Sequence, residues 1–306
     1  MIIDMRCRIT SGKASEYFVD RMDHLGRLDR IAAFGDPTEQ AFFDEIAAAG
    51  ITTAVSVSGL NPGARIGRFD FPARTTSNDY LSEVQNARPR EFIAVGGIDA
   101  SNTFHDALSE IDRCVGKLGM KAVCIEPGRA PGCDIDDERL FPLYDKCQTL
   151  DVTMILQTSG GNGGIYVDYA HPSHVERVAQ TFPKLRIVCG HGCYPYAREA
   201  ICMAARRDNV WLSPDGYFFH LGHEDWVKAI NYNLGGFVDK FAFASAYPLT
   251  AIKPFVENFM KVPWREEVLP RILYRNALAA LGLEQDARFR SFYGLDGSSA
   301  ATDVAG

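Results

Sequence analysis

Residues 121–157 read KAVCIEPGRAPGCDIDDERLFPLYDKCQTLDVTMILQ. Two short apolar runs, 122–126 and 153–157, flank a stretch over 140–150 whose apolar residues recur three and four positions apart. Runs of five residues bounded by Pro, Gly or Asp read as buried strands, and the three-four spacing between them reads as a helix. Strand, helix and second strand in that order make a crossover unit with a parallel pair. Outward from this unit the pattern repeats. Further strands are predicted at 2–7, 53–57, 92–97, 185–189, 210–213 and 241–244, and helices at 39–49, 78–87, 104–115, 175–181 and 197–205. Eight strands alternating with helices predict an α/β fold of the (β/α)8 TIM-barrel kind. A doubly wound open sheet is the alternative, but no GxGxxG follows an early strand.

The chain has 306 residues, 46% of them hydrophobic and 23% charged, with a net charge of −7. That composition is globular. The acidic balance offers no electrostatic footprint for nucleic acid. No run reaches the roughly 18 apolar residues of a membrane span. The opening MIIDMRCRIT places apolar residues before its arginines, the reverse of a signal peptide. The eight cysteines have no CxxC spacing and read as reduced thiols, so a cytoplasmic protein is expected. No linker divides the chain. A single domain is expected over 1–285, with a tail at 286–306 that is loose or lies over the surface. The segment 11–37 is long for a first loop and reads as functional or disordered. The glycine-rich run 159–164 reads as an anion-binding nest or as a mobile loop.

In such a barrel the reacting groups stand at the carboxyl ends of the strands. Those ends carry Arg6 and Arg8, then Glu126, Gln157, His191, Asp215 and Ser245. Alternation puts Arg6 and Arg8 on one face, with Cys7 on the other. Two inward guanidinium groups are costly unless each meets an anion: a substrate carboxylate, or internal acids such as Glu126 and Asp215. His191 is the one histidine at a strand end and suits proton transfer, or it is a buried structural residue. Tyr194, Tyr217 and Tyr247 are candidate oxyanion donors or aromatic wall. Asp215 orients a base, satisfies Arg6, or is a turn residue. Cys193, Ser159 and Ser245 are weaker nucleophile candidates without a GxSxG elbow. The HxxH at 171–174 has no companion ligand and carries no metal role.

Residues 1–285 resemble the amidohydrolase-related branch of the amidohydrolase superfamily. The likeness rests on IIDMRCRI at strand one, LGMKAVCIEP at four, FPKLRIVCGHGCYPYAREA at six, KFAFASAYP at eight and RILYRNALAALGL after it. The family's first strand normally ends Asp-x-His-x-His, with both histidines on a divalent metal. Here those places hold Arg6 and Arg8. The fifth-strand histidine is replaced by Gln157 and the eighth-strand acid by Ala246, which leaves His191. The resemblance therefore implies a barrel that has lost its metal site and uses no cofactor. The expected activity is metal-independent hydrolysis of a small acidic ester, lactone or thioester. In it His191 activates water, Arg6 with Tyr194 or Tyr247 stabilises the oxyanion, and Arg8, Gln157, Glu126, Asp215, Tyr217 and Ser245 bind the substrate. Decarboxylation of a carboxylic acid is one alternative and a non-catalytic small-molecule-binding barrel is the other. The expected partner is a small anionic molecule, with neither nucleic acid nor membrane involved, and the chain is a candidate homodimer.

Overall fold

The computed structural model describes residues 1–102, 106–220 and 223–295. The start of the helix expected over 104–115 and the end of the tail lie outside the described residues. In chain order the strands are β1 (Ile3–Cys7), β2 (Thr53–Ser56), β3 (Ala64–Ile66), β4 (Phe69–Phe71), β5 (Phe92–Gly97), β6 (Ala122–Ile125), β7 (Thr153–Gln157), β8 (Ile187–Gly190) and β9 (Val210–Ser213). Seven of them form one parallel sheet in the order β1-β2-β5-β6-β7-β8-β9, and β3 and β4 pair as a separate antiparallel hairpin. The segment 241–244 closes the sheet. Leu212 of β9 and Phe241 form a parallel bridge, while Met5 of β1 donates its N–H to the Phe243 carbonyl at 2.9 Å. Eight parallel strands with helices between them thus form a nearly closed TIM barrel.

The helices are α1 (Lys13–His24), α2 (Glu39–Ala48), α3 (Asn78–Ala87), α4 (Leu108–Gly116), α5 (Phe141–Thr149), α6 (Pro172–Thr181), α7 (Ala197–Arg206), α8 (His223–Asn231), α9 (Ile252–Lys261), α10 (Asn276–Leu281) and α11 (Ala287–Arg290). Local sequence sets several of their starts. Thr38 and Ser77 accept from the N–H groups of Ala41 and Tyr80 and so cap α2 and α3, and Pro172 opens α6 where a missing N–H costs nothing.

Two buried layers hold the barrel. One lies between strands and helices and includes Cys7, Ala54, Ile125, Leu156 and Cys189. The other fills the interior with Ile3, Met5, Val55, Val95, Ile155 and Val188. β1 changes parity along its length: Met5 faces the interior and Cys7 the helices, with Arg6 turned inward between them. The cause is a slip in pairing to β2, where Asp4 faces Ala54 and Cys7 faces Ser56. One extra residue therefore sits in β1. Bulges of this kind re-aim side chains beside active sites, and this one turns Arg6 into the barrel mouth.

The segment 11–37 is not a bare loop. It forms α1 and two single 3₁₀ turns, with Phe18 and Met22 buried. The hairpin β3–β4 is pinned at its neck, where Asn61 and Arg74 exchange backbone hydrogen bonds of 3.1 and 2.8 Å. Phe71 of the hairpin takes Arg129 against its ring at 4.2 Å and Arg21 of α1 at 5.8 Å. α1 and the hairpin together cover the mouth. At the opposite end the chain after Asp286 is not loose over its described part. Phe289 and Tyr293 are buried, and the Tyr293 hydroxyl meets Thr52 and Thr53 at 2.9 and 2.6 Å. Fully burying one such phenylalanine contributes roughly 1.5–3 kcal/mol, enough to seat this segment as a plug. All eight cysteines are free thiols. Among the described residues no helix is long and apolar enough to cross a membrane.

Candidate active site

The strand ends bring Arg6, His191 and Asp215 into contact. Arg6 Nη2 lies 3.2 Å from His191 Nε2. His191 Nδ1 lies 2.8 Å from Asp215 Oδ2 and 3.0 Å from Oδ1. A guanidinium only donates, so Nε2 accepts from Arg6, and a neutral ring then carries its proton on Nδ1 toward Asp215. Burial is the main force that lowers the His191 pKa to about 4. Asp215 opposes it and Arg6 adds to it. Arg6 Nε is 3.3 Å from Asp215 Oδ2, but it is not aligned as a hydrogen bond. We read this contact as an ion pair through proximity, because the charge separation is short even where the direction is poor.

Backbone geometry holds these groups in place. His191, Asp215 and Ala246 all have left-handed φ values, of 73°, 47° and 62°. For residues other than glycine each such position costs on the order of 1–3 kcal/mol and tends to mark functional sites. Gly190 makes room for Arg6, since a Cβ there would lie 2.5 Å from Nη1 and 2.9 Å from Cζ. Beneath Arg6, Asp4 accepts from the Arg6 and Ser245 N–H groups at 3.1 and 3.0 Å and from the Ser245 hydroxyl. Burial raises the Asp4 pKa to about 6 against those hydrogen bonds.

Arg8 has no such company. It is 4% exposed, its Nε and Nη1 are buried without a hydrogen-bond partner, and Phe18 of α1 covers it at 5.6 Å. Burial, then Arg6 and Arg74, lowers its pKa to about 9. Glu126 does not neutralise it. That carboxylate accepts from Arg74 Nη2 and lies 2.8 Å from Arg129 Nη1. Burial alone would raise the Glu126 pKa, but Arg129, Arg74 and Arg6 hold it well below the usual carboxylate range.

The other expected residues divide. Tyr217 and Tyr194 stack at 4.4 Å, and Tyr217 meets the His191 ring edge-on at 5.2 Å. The Tyr217 hydroxyl accepts from Ser159 at 3.2 Å. Gln157 faces a neighbouring loop instead: its amide donates to Asn162 and its carbonyl accepts from the Ser159 N–H. That glycine-rich loop is packed tight rather than loose. A Cβ on Gly163 would lie 2.0 Å from Gln157 Oε1, and one on Gly164 would lie 2.3 Å from the Tyr169 ring. Three expectations need correction. Tyr247 is fully buried on the helix side, where its hydroxyl donates to Glu45 of α2 at 2.9 Å. Ser245 is committed to Asp4. Cys193 is fully buried beside Cys189 in the layer between strands and helices, so it is a packing thiol. Arg74 and Arg129 escaped the sequence reading. Arg129 stands three residues past Glu126, a spacing that could have marked it. Arg74 reaches the site only through the neck of the hairpin.

The donor set does not suit a divalent cation. Among the described residues no three His, Cys, Asp or Glu side chains cluster for one, and Arg6 already lies against both His191 and Asp215. A fixed guanidinium occupies the centre of the site.

A TIM barrel with polar residues gathered at its strand ends defines a class of small-molecule enzymes. Residues 3–283 match the family described as Amidohydrolase, and the chain belongs to that family. An uncharacterised TIM-barrel protein of Bordetella bronchiseptica superimposes with a TM-score of 0.76 at 32% identity, over 92% of this chain and 99% of that one. A dihydroxybenzoic acid decarboxylase of Polaromonas, solved with manganese and 2-nitroresorcinol, superimposes at 0.68 with 16% identity over 94% and 98%. That second likeness carries the fold alone. The 2-amino-3-carboxymuconate-6-semialdehyde decarboxylase of Dictyostelium discoideum is 28% identical over 79 residues, 26% of this chain. The match spans 21% of that enzyme, about a fifth of its length.

Proposed function

We propose that this barrel carries out non-oxidative decarboxylation of a small carboxylic acid without a divalent metal. The observation that supports it most is the unequal state of the two strand-end arginines: Arg6 faces the carboxylate of Asp215 at 3.3 Å, while the buried Arg8 makes no such ion pair and keeps Nε and Nη1 without hydrogen-bond partners. Two free cations gripping a departing carboxylate would slow its loss, since they would stabilise the ground state. With Arg6 neutralised, Arg8 is the one strand-end cation left to serve the oxygen on which charge develops. In this reading the C–C bond breaks with loss of CO2, and the electron pair passes into a conjugated carbonyl oxygen. Arg8 donates to that oxygen in a water-poor site. The carbon then takes one proton, with Tyr217 as the protic side chain placed beside His191. The related decarboxylases favour this reading over ester hydrolysis. So does His191, whose two ring nitrogens are both engaged, leaving no lone pair for water.

Hydrolysis of an acidic ester, lactone or thioester is the second reading. It is favoured by the hydrogen bond between His191 and Asp215, an arrangement that orients a base, and it requires Arg6 to release Nε2. One experiment separates the two. Chelator-treated protein is incubated in ¹⁸O-water with carboxyl-labelled hydroxybenzoic and unsaturated keto acids and with matched lactones, esters and thioesters. Labelled CO2 release establishes decarboxylation. Uptake of ¹⁸O without CO2 establishes hydrolysis. Turnover seen only after manganese is added overturns the metal-free account.

A further inference from the structure

Four guanidinium groups are buried at the mouth: Arg6, Arg8, Arg74 and Arg129, with side chains no more than 8% exposed. Three buried carboxylates accompany them. Asp215 pairs with Arg6, and Glu126 serves Arg74 and Arg129 together. Asp4 faces Ser245 and backbone N–H groups. Two positive charges therefore lack a dedicated counter-ion, one on Arg8 and one shared between Arg74 and Arg129. Spare donors sit on three arginines: Arg6 keeps Nη1 unpartnered, though its charge faces Asp215, and the other two come from different parts of the chain. Arg8 keeps Nε and Nη1 unpartnered at the end of β1, and Arg74 keeps Nε unpartnered at the hairpin neck. Arg129 is used up instead, donating from Nε and Nη2 to the Asn162 carbonyl and facing Glu126 through Nη1. Burying unpaired cations and orphaned donors costs several kcal/mol. A ligand that brings two anionic groups would offset that cost.

We propose that the substrate is a dicarboxylate and that Arg74, beside Arg8, is the residue that selects it. One carboxylate binds Arg74, which Glu126 holds in place from the other side. Arg8 serves the reacting end. The neck bridge between Asn61 and Arg74 makes this contact part of the covering hairpin, so the second carboxylate also ties the hairpin to the ligand.

The proposal rests on the mouth being a carboxylate site. It is tested by binding rather than turnover, so that its failure and the failure of the decarboxylase reading are told apart. Calorimetric titration with three matched pairs (benzoate and isophthalate, butyrate and glutarate, crotonate and glutaconate) compares one carboxylate with two on the unmodified protein. At least one dicarboxylate should bind tenfold tighter than its partner. Arg74→Gln keeps a donor for Glu126, so it should erase that advantage while leaving the monocarboxylate within about twofold. Equal affinity within every pair, or no binding by any of the six, overturns the proposal. So does an advantage that survives Arg74→Gln.

Discussion

Arg6 reaches from the first strand end to cap the His191 ring, with Nη2 and Nε2 3.2 Å apart. The same guanidinium is the counter-ion of Asp215, which is 1% exposed. Removing it leaves a buried carboxylate facing only a neutral imidazole and backbone N–H groups. Breaking a buried pair from one side costs about 3–5 kcal/mol, because the remaining charge is uncompensated. Arg6→Met, similar in length and apolar, should lose stability of that order. Urea denaturation followed by circular dichroism measures it, and a loss below about 1 kcal/mol would mean that the pair is not structurally coupled.

Arg8 should behave in the opposite way. It has no carboxylate to orphan, and its charge is buried at a cost that the fold does not recover. Replacing a buried, poorly compensated ion by an apolar side chain of similar volume is often neutral or stabilising by about 1–4 kcal/mol. Arg8→Met should therefore hold or raise the denaturation midpoint and abolish turnover. A destabilisation comparable to that of Arg6→Met would show that Arg8 has a counter-charge after all.

Gly190 tests the packing of the centre without touching a charge. A Cβ there would lie 2.5 Å from Arg6 Nη1 and 3.2 Å from Cδ, so Gly190→Ala must push the guanidinium off His191 and Asp215. Overpacking of this kind costs about 1–3 kcal/mol. The expected result is a folded protein, lowered in stability by that amount, with its substrate turnover lost. Turnover within twofold of the unmodified protein would mean that Arg6 can shift without consequence.

Where the sequence could be read and where it could not follows from the range of the forces involved. Runs such as 92–97, 153–157 and 210–213 match their strands end to end, because buried parallel strands leave a local apolar signature bounded by turn residues. His191 and Asp215 were found for the same reason: a strand end is a local feature. The bulge in β1 left no such mark, since it depends on register against β2. Arg74 was invisible because its meeting with Glu126 spans 52 residues and a hairpin too short to show periodicity. Tyr247 was misplaced by a left-handed residue just before it: Ala246 turns the chain so that the ring leaves the interior for Phe42 and Glu45.

Tyr247 accordingly belongs to stability rather than chemistry. Tyr247→Phe removes one buried hydrogen bond, and Glu45 Oε2 still accepts from the Ala33 N–H at 2.7 Å. A loss of about 0.5–1.5 kcal/mol is expected, with turnover within twofold. A hundredfold fall in turnover would return the residue to the site.

The pH dependence of stability sets two buried groups against each other. His191 has its folded pKa lowered from 6.5 to about 4. Its contribution is present above pH 6.5 and is lost as pH falls toward 4, because the unfolded chain takes up the proton first. Asp4 has its folded pKa raised from 3.8 to about 6. Its contribution is full below pH 3.8 and is lost as pH rises through 6, because here the folded chain holds the proton. Between pH 4.5 and 6 the two slopes have opposite sign and similar size, each about 1.4 kcal/mol per pH unit at its steepest. The unmodified protein should therefore change little in this window. His191→Gln should become more stable on acidification from pH 6 to 4.5, relative to the unmodified protein, and Asp4→Asn less stable. Urea midpoints at four pH values for the three proteins measure this, and comparing differences removes the titration of surface carboxylates. Parallel curves for all three would mean that neither group is held away from its ordinary range, and that the mouth is wetter than its burial implies.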